Sequence, residues 1–229
     1  VSREEALDRV ETLLAGERPA AVIAVNPEKV IQALSNPPLL AQLREAGLLL
    51  PDGIGVVFAA RLLGLGRMER VPGAELMPEI CRKAAKCGYG VFLFGASPEV
   101  NREAAAALST AYPGIRLVGS EHGFIPADQM PALVDRINAS GARILFVALG
   151  SPRQEIWMRT YLPGLNVRIC QGVGGTFDIL AGRVKRAPIL FRKMHLEWFY
   201  RLVSDPRRLL RQRALPKFAA QVLWRVVAG

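Results

Sequence analysis

The chain has 229 residues, 51% of them hydrophobic, with three cysteines, two histidines and a formal net charge of +10. That length and apolar content suit one substantial α/β domain, or a domain plus an extension, and exclude wholesale disorder. Cys81, Cys87 and Cys170 form no CxxC pair and are odd in number, which argues for reduced thiols in a cytoplasmic protein; with only His122 and His195, no HExxH and no Asp-x-Asp, the composition leans towards metal-free chemistry.

The charge is uneven. The first 182 residues carry 18 Lys/Arg and 18 Asp/Glu, so the whole excess comes from the 12 basic and 2 acidic residues after Gly182. A neutral body (1–182) with a basic tail (183–229) is a two-part design. The N-terminus, VSREEALDRV, is charged and amphipathic with no apolar signal core, and it begins without Met, as a trimmed or processed chain does. No apolar stretch reaches the ~18–20 residues of a spanning helix.

Residues 2–15 set Ala6, Val10, Leu13 and Leu14 at helical spacing, with Ser2 and Glu5 as a capping box. AAVIAVN (20–26) reads as a buried strand, and Pro27 at a first helical position suits PEKVIQALS as the next helix, so Asn26 is delivered to the strand's end. LREAGLLLPDG repeats the delivery with Asp52, beside Gly53 and Gly55. Asp-Gly is common turn chemistry, because Asp bonds its own backbone and Gly tolerates positive φ. Local chemistry therefore favours a turn role for Asp52, although a carboxylate at the mouth of a parallel sheet can also serve as a base. GVVFAARLLG (55–64) is helical in composition, and RMERVPG leads through Arg67, Arg70 and Gly73 into the helix AELMPEICRKAAKCG.

From there strands and helices alternate. VFLFG (91–95) precedes a helix capped by Ser97, and RLVGSEHGF (116–124) precedes DQMPALVDRINASG. ARILFVALG (142–150) precedes SPRQEIWMRTYL with Ser151 as its expected cap, and VRICQGVGG (167–175) precedes TFDILAG. This alternation predicts βαβ units and a mainly parallel, Rossmann-like α/β sheet covered on both faces. The loops FGASPE, ALGSPRQE and QGVGGTFD then share one edge, where ligands bind, and Gly95, Gly150, Gly172, Gly174 and Gly175 become candidates for a nucleotide phosphate site. GVGGTF is not a dinucleotide fingerprint, since Phe177 stands where GxGxxG needs glycine and no ribose-binding acid follows. Gln154 reads either as the far half of a Ser151 capping box or as an amide aimed at ligand. Trp157 and Met158 read as core.

In the tail, Leu190, Met194 and Trp198 recur at i, i+4, i+8, and Phe218, Val222 and Val226 repeat the pattern after Pro216, the expected helix break. Arginines fill the intervening faces, which suits a helix in a membrane interface. Nucleic acid would welcome the same charge, but no recognised nucleic-acid motif accompanies it. An apolar face on the body would also suit pairing into a homo-oligomer.

In this order NPE, PDGIGV, ERVPG, LFG, LGSPRQE, GVGGTFD–AG, RAP and LEWFYRL–DPRRLLR run through essentially the whole chain. The series resembles the WecG/TagA/CpsF glycosyltransferases of bacterial surface polysaccharide and teichoic acid synthesis. The resemblance implies a Rossmann-like catalytic domain and a C-terminal appendage seating it on the inner face of the cell membrane. It implies an inverting, metal-free transfer with no cofactor, from a UDP-sugar of N-acetylmannosamine type to an undecaprenyl-diphosphate-linked sugar of N-acetylglucosamine type. By the same resemblance Asp52 is the general base, Asn26, Arg70 and Gln154 belong to the pocket, and Asp178 lies near the nucleotide. Arg201, Arg208 and Arg211 are implied to complete the site from the appendage. One departure stands out: Ala24 occupies a position where the family usually has Thr, removing a hydroxyl from the implied pocket wall. The alternatives are a nucleotide-dependent oxidoreductase, disfavoured by the broken glycine fingerprint, and a basic adaptor for membranes or nucleic acid.

Overall fold

The computed structural model describes residues 1–184, Ala187, Pro188, Phe191, Tyr200 and residues 213–228. Helix α1 (Arg3–Ala15) starts on the expected Ser2–Glu5 capping box. Strand β1 (Ala20–Val25) runs into α2 (Pro27–Leu34), whose cap is Asn26. Next come α3 (Pro37–Glu45), β2 (Leu48–Pro51), α4 (Ile54–Leu62) and α5 (Gly73–Cys87). The chain continues through β3 (Gly90–Gly95), α6 (Pro98–Ala111), β4 (Arg116–Glu121) and α7 (Met130–Ala139). Strand β5 (Ala142–Ala148), α8 (Arg153–Tyr161), β6 (Ile169–Gly172) and α9 (Thr176–Leu180) follow, and α10 (Ala214–Ala228) comes last. Helix α3 is the element that strand-and-helix alternation did not anticipate. Its signal repeats that of α2: Asn36 before prolines, with Oδ1 accepting from the Leu39 N–H at 3.1 Å.

Among the described residues six strands form one sheet in the order β2-β1-β6-β5-β3-β4, every pair parallel. Alternation along each strand divides the core into two layers. Val91, Leu93, Ile144 and Phe146 face α1, α5 and α6, through Val10, Leu14, Met77, Ile80 and Leu108. Phe92, Phe94, Leu145 and Val147 face α2, α3, α7 and α8, through Ala33, Leu39, Leu133, Trp157 and Met158. Burying each large side chain stabilises by about 1.5–3 kcal/mol, so the central strands, buried on both faces, anchor the loops at their ends.

The tail's last helix folds back: α10 packs on α2 and α4. This corrects two expectations. Pro216 sits inside the first turn of α10, where a missing N–H costs nothing, rather than marking a break. Phe218 is half-buried and Val222 buried, so part of the stripe read as membrane-facing packs on the body instead. The apolar side chains that α10 exposes are Leu223, Trp224, Val226 and Val227. Leu190, Met194 and Trp198 lie outside the described residues.

Cys81 and Cys170 are fully buried and Cys87 is exposed. Burial pushes the Cys81 thiol up to about 12 and the Cys170 thiol up as well. Native alkylation followed by mass spectrometry should therefore modify Cys87 alone, with Cys81 and Cys170 reacting only after denaturation. Native modification of Cys170 would contradict this packing.

Candidate active site

Because the strands are parallel, their carboxyl ends share one edge. In spatial order it carries Asp52 after β2, Asn26 after β1, Val173–Gly175 after β6, Gly150 after β5, and Gly95 and Ala96 after β3.

Asp52 and Asn26 are neighbours by register. Val25 pairs with Pro51, and the Asp52 N–H donates to the Val25 carbonyl at 2.9 Å. The Asn26 Oδ1 accepts from the Lys29 N–H at 2.8 Å to cap α2, so the cap takes the oxygen of this amide and not its Nδ2. Gly53 was expected to supply a left-handed turn, but its φ is −114°. Its glycine requirement is one of space: a Cβ there would lie 2.9 Å from Pro27 Cδ, and one at Gly55 2.9 Å from Pro27 Cγ. The start of α4 thus sits hard against the start of α2. The N-cap of α4 is Gly53 rather than Asp52, so the carboxylate is not that helix's cap residue.

Arg70 joins this pair through the backbone beside it. The Val71 N–H donates to the Pro51 carbonyl at 2.9 Å, which holds the Arg70–Pro72 segment against the end of β2. Arg70 pairs with Glu75 at 3.6 Å and its side chain is 13% exposed. Helix α5 then starts at Gly73 with no side-chain cap, so the positive end of its dipole faces the same edge. The buried Gln171 donates from Nε2 to the Gly73 carbonyl at 2.9 Å. A Cβ at Gly73 would lie 3.3 Å from Ala24 Cβ, so the family departure at Ala24 falls where β1 meets the start of α5.

The β6–α9 turn is fixed from behind. Gly174 has φ +53° and its N–H donates to Gln154 Oε1 at 3.0 Å, while Gln154 Nε2 donates to Glu155 Oε1 at 2.9 Å. The expected Ser151 cap does not form. Helix α8 begins at Arg153, its N-cap residue is Pro152, and no side chain caps it. Gln154 therefore completes no capping box. It is 5% exposed, and its amide bonds to the glycine turn and to Glu155. Asp178 is half-buried above this turn, with Oδ2 3.7 Å from where a Gly175 Cβ would lie. Phe177, fully buried, fills core where a dinucleotide fingerprint would have glycine.

At the ends of β3 and β5 the backbone approaches most closely. A Cβ at Gly95 would lie 2.5 Å from the Ala148 carbonyl oxygen, and φ is +122° there. Ala96, with φ +58°, donates from its N–H to that carbonyl at 2.9 Å. A non-glycine residue in the left-handed region signals a conformation imposed by its surroundings. Asn101, 4% exposed, holds the loop by donating to the Gly95 and Glu121 carbonyls, both at 2.9 Å. Gly150, φ +73°, faces open space.

The edge thus brings together Asp52, Asn26 and Arg70 at one end and the glycine turns with Asp178 towards the middle. Arg201, Arg208 and Arg211 lie outside the described residues. Among the described residues no three His, Cys, Asp or Glu side chains gather into a metal site. Sequence reasoning missed Lys29, Glu155, Gln171 and Asn101, the buried polar groups that hold the loops in place. Glu155 had a faint signal in its adjacency to Gln154. Nothing local pairs it with Lys29, 126 positions away.

The WecG/TagA/CpsF family of glycosyl transferases matches residues 1–229. The chain belongs to that family. It is also 37% identical over 212 residues to an N-acetylglucosaminyldiphosphoundecaprenol N-acetyl-beta-D-mannosaminyltransferase of Bacillus spizizenii (strain ATCC 23059 / NRRL B-14472 / W23), covering 93% of this chain and 82% of that protein. The protein is therefore a glycosyltransferase and not the nucleotide-dependent oxidoreductase weighed as an alternative.

In this glycosyltransferase the β6 end is crowded. A Cβ on Gly172 would lie 2.7 Å from Gln154 Nε2 and 3.0 Å from Gln154 Cδ. Gly172→Ala should displace Gln154 and lower stability by about 1–3 kcal/mol, read as a fall in Tm. Unchanged thermal denaturation would show that the amide is not packed as described.

Proposed function

We propose that this glycosyltransferase moves a sugar of N-acetylmannosamine type from a UDP-sugar to an undecaprenyl-diphosphate-linked sugar of N-acetylglucosamine type. The name of the Bacillus spizizenii relative supports the acceptor and the sugar. The observation that carries the site assignment is the register that sets Asp52 beside Asn26, with Arg70 pinned to the same strand end.

The chemistry follows from those groups. The Asp52 carboxylate accepts the acceptor hydroxyl's proton as that oxygen attacks the anomeric carbon. Attack comes from the face opposite the leaving UDP, so the sugar–phosphate bond breaks with inversion. Charge develops on the departing diphosphate and needs fixed donors. Arg70 and the uncapped start of α5 are positive features at this edge, and the glycine turns admit a diphosphate close to backbone. Arg201, Arg208 and Arg211 would add to that set from the tail. Direct displacement on this plan needs no metal.

A lipid-linked acceptor requires the site to work at a membrane surface, on the cytoplasmic side where nucleotide sugars are found. Two elements support this. Helix α4, which begins just past Asp52, exposes Phe58 and Leu62 together with Arg61, and Leu65 just beyond its end is exposed as well. Helix α10, packed on α4, exposes Trp224 and Val227 among Lys217 and Arg225. Residues 54–68 and 206–229 contain no Asp or Glu, which suits an anionic leaflet. No helix among the described residues is long and apolar enough to cross a membrane.

Asp52→Asn should lower turnover by about 10²- to 10⁴-fold while calorimetric UDP affinity stays unchanged; turnover near that of the unmodified enzyme would remove Asp52 from the mechanism. Changing Phe58, Leu62, Trp224 and Val227 together to Ser should weaken sedimentation with anionic phospholipid vesicles by at least about tenfold, since each buried large apolar side chain contributes about 1.5–3 kcal/mol. Equal sedimentation of the two proteins would assign membrane contact to some other surface.

A further inference from the structure

A buried chain of polar groups runs behind the site and links two parts of its edge. Lys29, in the first turn of α2, donates from Nζ to Glu155 Oε1 at 2.6 Å. The same oxygen accepts from Gln154 Nε2 at 2.9 Å, and Gln154 Oε1 accepts from the Gly174 N–H at 3.0 Å. Lys29, Glu155 and Gln154 are 5%, 1% and 5% exposed. At the α2 end the Lys29 N–H is the group that Asn26 caps.

The direction of these bonds matters more than their number. An amide has one accepting and one donating end, and rotating it by 180° exchanges them. If Gln154 rotated, its NH2 would meet the Gly174 N–H, two donors face to face. A carboxylate only accepts, so Glu155 requires the Nε2 end of Gln154 and thereby turns Oε1 towards the glycine turn. Lys29 supplies the counter-charge that lets a carboxylate occupy this buried place. Among the described residues Glu155 Oε2 has no hydrogen-bond partner, so the carboxylate meets both donors through a single oxygen. Glu155 and Arg159 also border a cavity of about 290 Å³ between α3 and α8, alongside Gln42. Gly172, with no side chain, makes room for the amide.

We propose that Glu155, together with Lys29, is a positioning residue that fixes the polarity of Gln154 and so the conformation of the Val173–Gly175 turn. Through that turn it sets affinity for the donor's diphosphate; this last step rests on the reading above that the turn receives the nucleotide.

The test uses the full chain and three variants: Glu155→Gln, Lys29→Met and the double variant. Glu155→Gln keeps the shape but can rotate, so it no longer dictates which way Gln154 points. Loss of one directed, charge-assisted bond should weaken UDP binding and raise the donor KM about tenfold, with the acceptor KM unchanged. Each single variant also leaves a buried charge unpaired and should lower Tm. The double variant removes both charges and should regain Tm, yet UDP affinity should stay low because polarity is still unfixed. Recovery of UDP affinity in step with Tm would mean that the pair is merely structural and would overturn the proposal. Hydrogen exchange across residues 172–178 separates the two steps. Faster exchange in Glu155→Gln with undiminished UDP affinity would uphold the positioning of the turn and sink its assignment to the donor. Unchanged exchange would overturn the positioning itself.

Discussion

The parallel pairing of β1 with β2 is the constraint on which the site depends. Val25 stands opposite Pro51, and both strands end in proline-bounded turns, so the next residues, Asn26 and Asp52, emerge side by side. Each turn is then compressed against the other. Pro27 starts α2, and Gly53 and Gly55 let α4 come within contact of its ring. A side chain at either glycine would push α4 away from α2 and move the carboxylate with it. Proline, which sets the start of a helix, and glycine, which allows close approach, thus act on one geometry from two strands.

The same edge depends on charge buried where charge is costly. A lysine and a glutamate, nearly without solvent contact, stabilise little as a pair, since desolvation offsets most of their attraction; removing one partner alone costs about 3–5 kcal/mol. Such a pair is better explained by what it specifies than by what it stabilises. The Lys29–Glu155 pair ties α2 to α8, and Gln154 ties α8 to the β6–α9 turn. Gln171 and Asn101 do related work elsewhere, one bonding the start of α5, the other the ends of β3 and β4. The loops at the strand ends are therefore held by polar side chains projecting from rigid elements. A transferase that must exclude water from a reactive donor gains from such preorganisation.

Much of the fold was legible because its signals are local. Apolar runs ended by Pro or Gly marked the strands, and Ser2, Asn26 and Ser97 marked helix starts that the structure retains. Helix α3 carried the same Asn-Pro signal but followed α2 so closely that alternation hid it. Ser151 failed as a cap because α8 starts later, at Arg153. The candidate site was half legible. Asp52 and Asn26 could be placed at strand ends, but their adjacency needed the strand order. The capping-box alternative for Gln154 and the left-handed turn expected of Gly53 failed because both residues answer to long-range contacts, with Gly174 and Pro27 respectively. The pairing of Lys29 with Glu155 was invisible for the same reason.

The tail shows how one periodic pattern can serve two surfaces. The spacing of Phe218, Val222 and Val226 does mark a helix, but periodicity cannot tell whether its apolar face meets protein or lipid. Phe218 and Val222 turn inward, and Phe218 comes within 4.0 Å of where a Gly55 Cβ would lie. The helix that exposes Trp224 and Val227 is thereby braced on the turn that carries Asp52. Phe218 thus joins α10 to the start of α4, which in turn lies against Pro27. The helix proposed to meet the membrane and the residue proposed as base are thereby joined through one packed junction.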